Sequence, residues 1–261
     1  MLNRKVLNKI YTIAFYTSKE VIKSKVLLNT LILGFGLLVV TFIAYSFTYG
    51  EPSRVALDFG LGTLSLSSVA IAIFMGVGLL SDEIQNRTVY IIISRPVPRY
   101  GFILGRLIGL SCVLVINILI LSLITLPLYF FIGGVYESLI LWTILYIVIE
   151  SILMLIIVSF FSLLTTKVLS VILSIVVYIV GHAIDGAKIL NFVAERPILE
   201  KVLDFYHYVL PGFYKLNLKD HLLYKQNISI DYLTSNLMYG VIYGAALTMM
   251  SIFIFSKKNL D

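Results

Sequence analysis

The chain has 261 residues, 59% of them hydrophobic and 13% charged, with a mean hydropathy of +0.99 and a formal net charge of +6. Soluble domains are about half apolar and about a quarter charged, so this composition excludes a water-soluble globular fold and points into a bilayer. The positive charge needs no nucleic-acid partner, because its distribution along the chain is that of a membrane topology signal.

Residues 4–24 read as an amphipathic helix. Val6, Ile10, Ile13, Ala14 and Val21 lie near one stripe, while Lys5, Lys9, Thr12, Lys19 and Lys23 are mostly elsewhere. An apolar stripe with a lysine-rich face suits a helix lying in the membrane interface over residues 1–25. A basic leader that only enforces topology is the alternative.

Apolar runs then follow at residues 26–49, 59–81, 107–136, 138–166, 168–184 and 232–256. Crossing about 30 Å of hydrocarbon takes roughly 20 helical residues. The run at 168–184 sits at the lower limit and includes His182. Spanning segments must be helices or closed barrels, and the alternation of a barrel is missing. The predicted fold is therefore all-α: a polytopic bundle of six transmembrane helices preceded by the interfacial helix. The first run is of spanning length with no small-residue cleavage site, so it is expected to stay as a span.

Thirteen of the 20 Lys and Arg residues fall on the side that carries both termini, with four acids; the other side has seven bases and nine acids. Both termini are therefore expected in the cytoplasm. The lone Cys112 lies inside the third run, so no intrachain disulfide is possible.

Between the second and third runs lies a charged, proline-broken island, residues 82–99. Glu83 and Arg87 stand at i, i+4 in the favourable order. Residues 82–94 can form a short helix along the cytoplasmic face, with Arg95 preceding Pro96, where a helix should end. Pro98 forces a second extended step. The β-branched run at residues 89–93 argues instead for an extended loop. Either form presents a stiff, basic knob suited to docking in a partner's groove.

The largest polar segment, residues 185–231, is expected on the outer side. Pro197 fits the first position of a helix that Pro211 and Gly212 would stop. Its aromatic residues suit a headgroup-level element, a short external helix or a re-entrant pair.

No G-x-x-x-x-G-K-[ST] phosphate loop, H-E-x-x-H metal pair or G-x-S-x-G nucleophile elbow occurs. His182, His207 and His221 are all expected near the outer face, at spacings of 25 and 14 that match no ligand signature, and read as polar residues of an interfacial loop. Glu150 differs. A mid-span acid costs about 2.5–3.5 kcal/mol on insertion scales unless it faces protein or water. It is either a functional intramembrane site or a carboxyl that locks helix packing. An intramembrane enzyme would need paired acids or an acid–base pair, and Glu150 stands alone in that reading.

The island resembles the segment between spans two and three of ABC-2 type transporter permeases, through E-x-x-x-R-T, S-R-P-V-x-R and L-G-R. The matching residues are Glu83, Arg87, Thr88, Ser94, Arg95, Pro96, Val97, Arg99, Leu104, Gly105 and Arg106. Members usually carry Lys at the position of Arg106. Residues 206–217 and the end of the last run are similar to the C-terminal half of such permeases. The island is most similar to the branch that includes the nitrous-oxide-reductase maturation permease.

The resemblance implies a homodimer, or a heterodimer with a similar permease, in the cytoplasmic membrane. It implies cytoplasmic ATPase subunits that bind ATP and magnesium and dock on the island, with Glu83, Arg87, Thr88, Arg95, Pro96, Pro98 and Arg99 as the coupling residues. This chain would hold no cofactor and catalyse no reaction itself. A membrane scaffold or assembly factor without transport activity has the same hydropathy and is the competing expectation.

Overall fold

The computed structural model describes residues 4–23, 26–47, 50–85, 98–188 and 197–257. They form helices α1 (Arg4–Lys23), α2 (Val26–Ser46), α3 (Pro52–Gln85), α4 (Arg99–Phe131), α5 (Ser138–Leu164), α6 (Lys167–Lys188), α7 (Pro197–Val209), α8 (Lys219–Leu223) and α9 (Ile230–Lys257). A 3-10 turn, Phe213–Leu216, lies between α7 and α8. No strand occurs among the described residues.

Five helices, α3 to α6 and α9, are long and apolar enough to cross a membrane. They define a multi-pass helical bundle, in which each helix satisfies its own backbone and lipid solvates what remains. Large apolar side chains point outward on the peripheral helices, among them Phe35 and Phe42 on α2, Ile172 and Val176 on α6, and Met249 and Phe253 on α9. In water such faces would drive association. The first predicted run is also helical, as α2, though its apolar stretch Ile32–Ser46 is shorter than the other five.

Helix α5 is the axis of the bundle. Its apolar window is 67% buried, against 22% for α6 and 17% for α9. It packs on α3, α4, α6 and α9, and α2 covers the seam between α3 and α4. Leu64 and Ala72 of α3, Val113, Leu114, Ile118 and Leu121 of α4, and Met154, Leu155 and Val158 of α5 are sealed from solvent in the shared core. A buried bond from the Thr30 hydroxyl to the Asn117 side-chain oxygen ties α2 to α4, and the Tyr146 hydroxyl donates to the Leu233 carbonyl, tying α5 to α9. The turn after α4 passes through Gly133 at φ 95°, a left-handed conformation that favours glycine.

Several boundaries differ from the sequence expectation. Helix α3 runs without a break to Gln85, so residues 82–85 extend a spanning helix and do not begin a separate one. Pro98 is extended, at φ −66° and ψ 141°, as expected, but α4 begins at Arg99, eight residues before the predicted run. Arg99 and Arg106 therefore sit on helix. Helix α6 continues to Lys188 and has 22 residues, so the shortest predicted run is fully long enough to cross. Pro197 does open a helix, and it ends before Pro211 as expected.

Helix α1 forms as predicted, but the use of its apolar stripe is different. Ile10, Ala14 and Thr17 are buried along the start of α4, where Gly101, Gly105 and Gly109 allow the two backbones to approach. Arg106 pairs with Glu20 at 3.0 Å, and the Ser18 hydroxyl donates to the Gly109 carbonyl at 3.0 Å. The stripe assigned to lipid thus meets protein. A second row, Leu7, Tyr11 and Phe15, is the exposed one.

A Cβ at Gly109 would lie 2.6 Å from the Ala14 carbonyl oxygen and 2.8 Å from Thr17 Cβ, both on backbone-anchored atoms. Gly109→Val is expected to push α1 off α4 at a cost of about 1–3 kcal/mol. That corresponds to a thermal midpoint lower by about 2–12 °C for a chain of this size. Thermal unfolding of the solubilised protein checks it, with Ile108→Val at the exposed neighbouring position expected to change little.

Candidate functional site

Three helices bring polar groups to one place halfway along the bundle. On α5, Thr143, Ile147 and Glu150 share a face at i, i+4 and i+7. On α3, Leu61 and Ser65 do the same, and on α6 Tyr178 and His182. Together with the 3-10 turn and the start of α8 they line a cavity of about 500 Å³. Its walls are otherwise mostly apolar, with Leu61, Leu66, Ile147, Ile179, Leu216 and Leu218. Leu66 and Ile179 are 62% and 58% exposed, so the cavity is a cleft open laterally between α3 and α6.

Glu150 is deeply buried in the cleft, its side chain only 3% exposed. One carboxylate oxygen lies 2.8 Å from His182 Nε2, and the other accepts from the Ser65 hydroxyl at a long 3.4 Å. The His182 ring is held on both sides. Tyr178 meets it edge-on at 4.6 Å between centroids, and Phe213 lies nearly parallel at 5.7 Å. The approach of Phe213 depends on Gly181. A Cβ there would stand 2.5 Å from the Pro211 carbonyl oxygen and 2.7 Å from the Phe213 ring.

At the other end of the cleft, Lys219 is paired with Asp58 at 2.8 Å, both partly exposed. Gly62 makes room for the lysine, since a Cβ there would sit 3.2 Å from its ammonium nitrogen. Outside the spans, burial raises the Tyr214 phenol above its ordinary range and the Asp185 carboxylate adds to the effect, so this residue stays protonated at neutral pH.

Glu150 therefore faces the protein interior and a cleft, and it is not alone. His182 is its partner and belongs to a spanning helix, so its expected placement in an interfacial loop is corrected. The other two histidines are elsewhere, His207 on α7 beside Tyr214 and His221 on α8 beside Tyr232. No cluster of three or more metal-ligating side chains occurs among the described residues. The carboxyl–imidazole pair also restores one ingredient of acid–base chemistry. The order of groups is not that of a hydrolase triad, however, because the Ser65 hydroxyl bonds the carboxylate and not the imidazole.

Of the island residues, Arg87, Thr88, Arg95 and Pro96 lie outside the described residues. Glu83 falls in the last turn of α3, and Pro98 and Arg99 begin α4. The Arg99 guanidinium donates to the Ser256 carbonyl at 3.0 Å, which places the start of α4 against the end of α9. Pro98 and Arg99 do not line the Glu150 cleft.

The helices and the cleft define a multi-pass α-helical membrane protein with a buried carboxyl–imidazole pair. No family model and no curated relative matches the chain.

Breaking a buried pair leaves an uncompensated polar group, a large loss compared with removing both partners. His182→Phe keeps a ring against Phe213 but removes Nε2. It is expected to cost on the order of 0.5–3 kcal/mol more in the native background than in the Glu150→Gln background. A double-mutant cycle of thermal or denaturant unfolding measures this. Equal costs in the two backgrounds would show that the pair contributes no coupling.

Proposed function

We propose that this chain is the transmembrane permease subunit of an ABC-2 type ATP-binding cassette transporter, an exporter in the cytoplasmic membrane. The observation that carries this reading is the series of island residues from Glu83 to Arg106 that resembles the permease segment between spans two and three. Its position supports the reading. Helix α3 leads into the island and α4 leads out of it. The Arg106–Glu20 pair and the Arg99 bond to Ser256 gather α1, α4 and the end of α9 at the same end of the bundle. That end carries the basic excess which orients a membrane protein toward the cytoplasm.

In this reading α2 is the first of six spans, both termini are cytoplasmic, and residues 190–225 are external. The chain works as a homodimer or with a second similar permease. ATP and magnesium belong to cytoplasmic partner subunits, which dock on Glu83, Arg87, Thr88, Arg95, Pro96, Pro98 and Arg99. Nucleotide-driven closure of those subunits pushes on the island, and α3 and α4 carry the displacement into the bundle. The Glu150 cleft is the polar site exposed to substrate in one of the two access states.

Two experiments test the reading. With Cys112 replaced by serine, single cysteines at residue 90 should be labelled only from the cytoplasmic side, and those at residues 190–225 only from outside. External labelling at residue 90 would overturn the topology. Arg87→Glu should weaken capture of the partner ATPase while leaving insertion intact. One partly buried charged contact is worth on the order of 2–5 kcal/mol, roughly 30-fold to several-thousand-fold in affinity. Undiminished ATPase binding by correctly inserted Arg87→Glu would remove Arg87 from the contact. If island deletions also left binding intact, a scaffold without transport would be the better reading.

A further inference from the structure

We infer that the cleft at Glu150 is a binding site for an organic cation, a protonated amine carried on an apolar body. The charges that face it are few. Lys219 is neutralised by Asp58 at 2.8 Å, which leaves the Glu150–His182 pair to set the sign of the interior. Among the described residues that line the cleft Glu150 is the one acid, set in a site mostly lined by hydrocarbon. One of its oxygens is used by His182. The other takes a long 3.4 Å contact from Ser65, and the Tyr178 hydroxyl also interacts with the carboxylate; a carboxylate has about four acceptor sites, so capacity remains for a further donor from the cleft. An ammonium group supplies further donors and a positive charge for this carboxylate.

The rest of the cleft matches the remainder of such a molecule. The Tyr178 ring stands beside the carboxyl group and lines the cavity, and aromatic faces attract cations. A volume of about 500 Å³ lies in the range of small-molecule sites, and its walls are apolar beyond the polar end. The lips at Leu66 and Ile179 open sideways between α3 and α6, toward the surface that lipid covers. An amphiphilic cation dissolved in the bilayer therefore reaches the carboxyl without passing through the bundle ends. A neutral ligand of the same shape would bring no charge to the carboxylate, and an anionic one would be repelled.

To call this ligand a transported substrate rests on the permease reading; its binding to the isolated chain does not. The test uses the full-length protein in lipid nanodiscs at pH 7, with 4-phenylbutylamine and its neutral analogue 4-phenylbutan-1-ol, by calorimetric titration against protein-free nanodiscs. The amine is expected to bind saturably, one per chain, at least tenfold tighter than the alcohol. Glu150→Gln is expected to lose at least tenfold in affinity for the amine and to leave the alcohol unchanged. Equal affinity for the two probes overturns the proposal, as do amine binding by Glu150→Gln at wild-type strength and no saturable binding beyond partition into lipid. Where Glu150→Gln does not fold, the two probes on the wild-type protein decide by themselves. ATPase capture, measured separately, distinguishes the two ideas: amine binding without any ATPase partner sinks the transport reading and leaves the site standing.

Discussion

A carboxyl group placed halfway along a helix in hydrocarbon has to find its partners inside the protein, and Glu150 imposes that condition on everything around it. It sits near the middle of α5, the helix with the most buried surface. Its oxygens are reached by His182 from α6 and Ser65 from α3, so these two helices must converge on α5 at the same depth. Gly181 allows the Pro211–Phe213 turn to press on the histidine ring, which links the segment outside the bundle to the same point. Apolar packing alone would leave the rotation of α6 about its axis weakly determined. The polar contacts of His182 and Tyr178 select one rotation and so fix which residues form the cleft.

A second ordering acts on the other flank. Helices α1 and α2 both follow α4, the first through a glycine row and the second through Thr30 and Asn117. Helix α4 has 33 residues, more than the roughly 20 that a crossing needs. Its first turns, where α1 lies, therefore have length to spare beyond the hydrocarbon. This geometry lets α1 brace the projecting end of a spanning helix, and it leaves the row of Leu7, Tyr11 and Phe15 uncovered.

Much of this was legible in the sequence, and the parts that were not have physical reasons. Apolar runs of spanning length announce helices because hydrocarbon tolerates little else. Their ends were misjudged where helices outrun the hydrocarbon, as at Arg99 and Lys188, since hydropathy reports the solvent and not the backbone. The stripe on α1 reads as amphipathic and packs on α4, which the sequence does not specify, because amphipathicity does not say whether lipid or another helix covers the apolar side. Glu150 was visible from its cost. His182 was missed because 32 residues of sequence separate the two. A signal was present nonetheless: within the predicted runs these are the only two residues of the acidic, basic and histidine types. A mid-span acid that needs a partner, and a single ionisable residue in another span, together specify the pair.

Helix α3 gives the cleft and the island a common mechanical element. Ser65 and Leu66 stand on the cleft wall, and the same unbroken helix continues to Gln85. At 1.5 Å per residue the distance between Ser65 and Gln85 is about 30 Å. Under the permease reading, a partner that displaces the island moves a rigid helix whose other part holds one lip of the cleft, Leu66. The opposite lip, Ile179, belongs to α6, which the Glu150–His182 contact fastens to the central helix. A shift of α3 against α5 and α6 would thus change the cleft opening and the weak Ser65 contact before it strained the strong one. The long 3.4 Å bond and the short 2.8 Å bond on one carboxylate divide the site into a part that can yield and a part that holds.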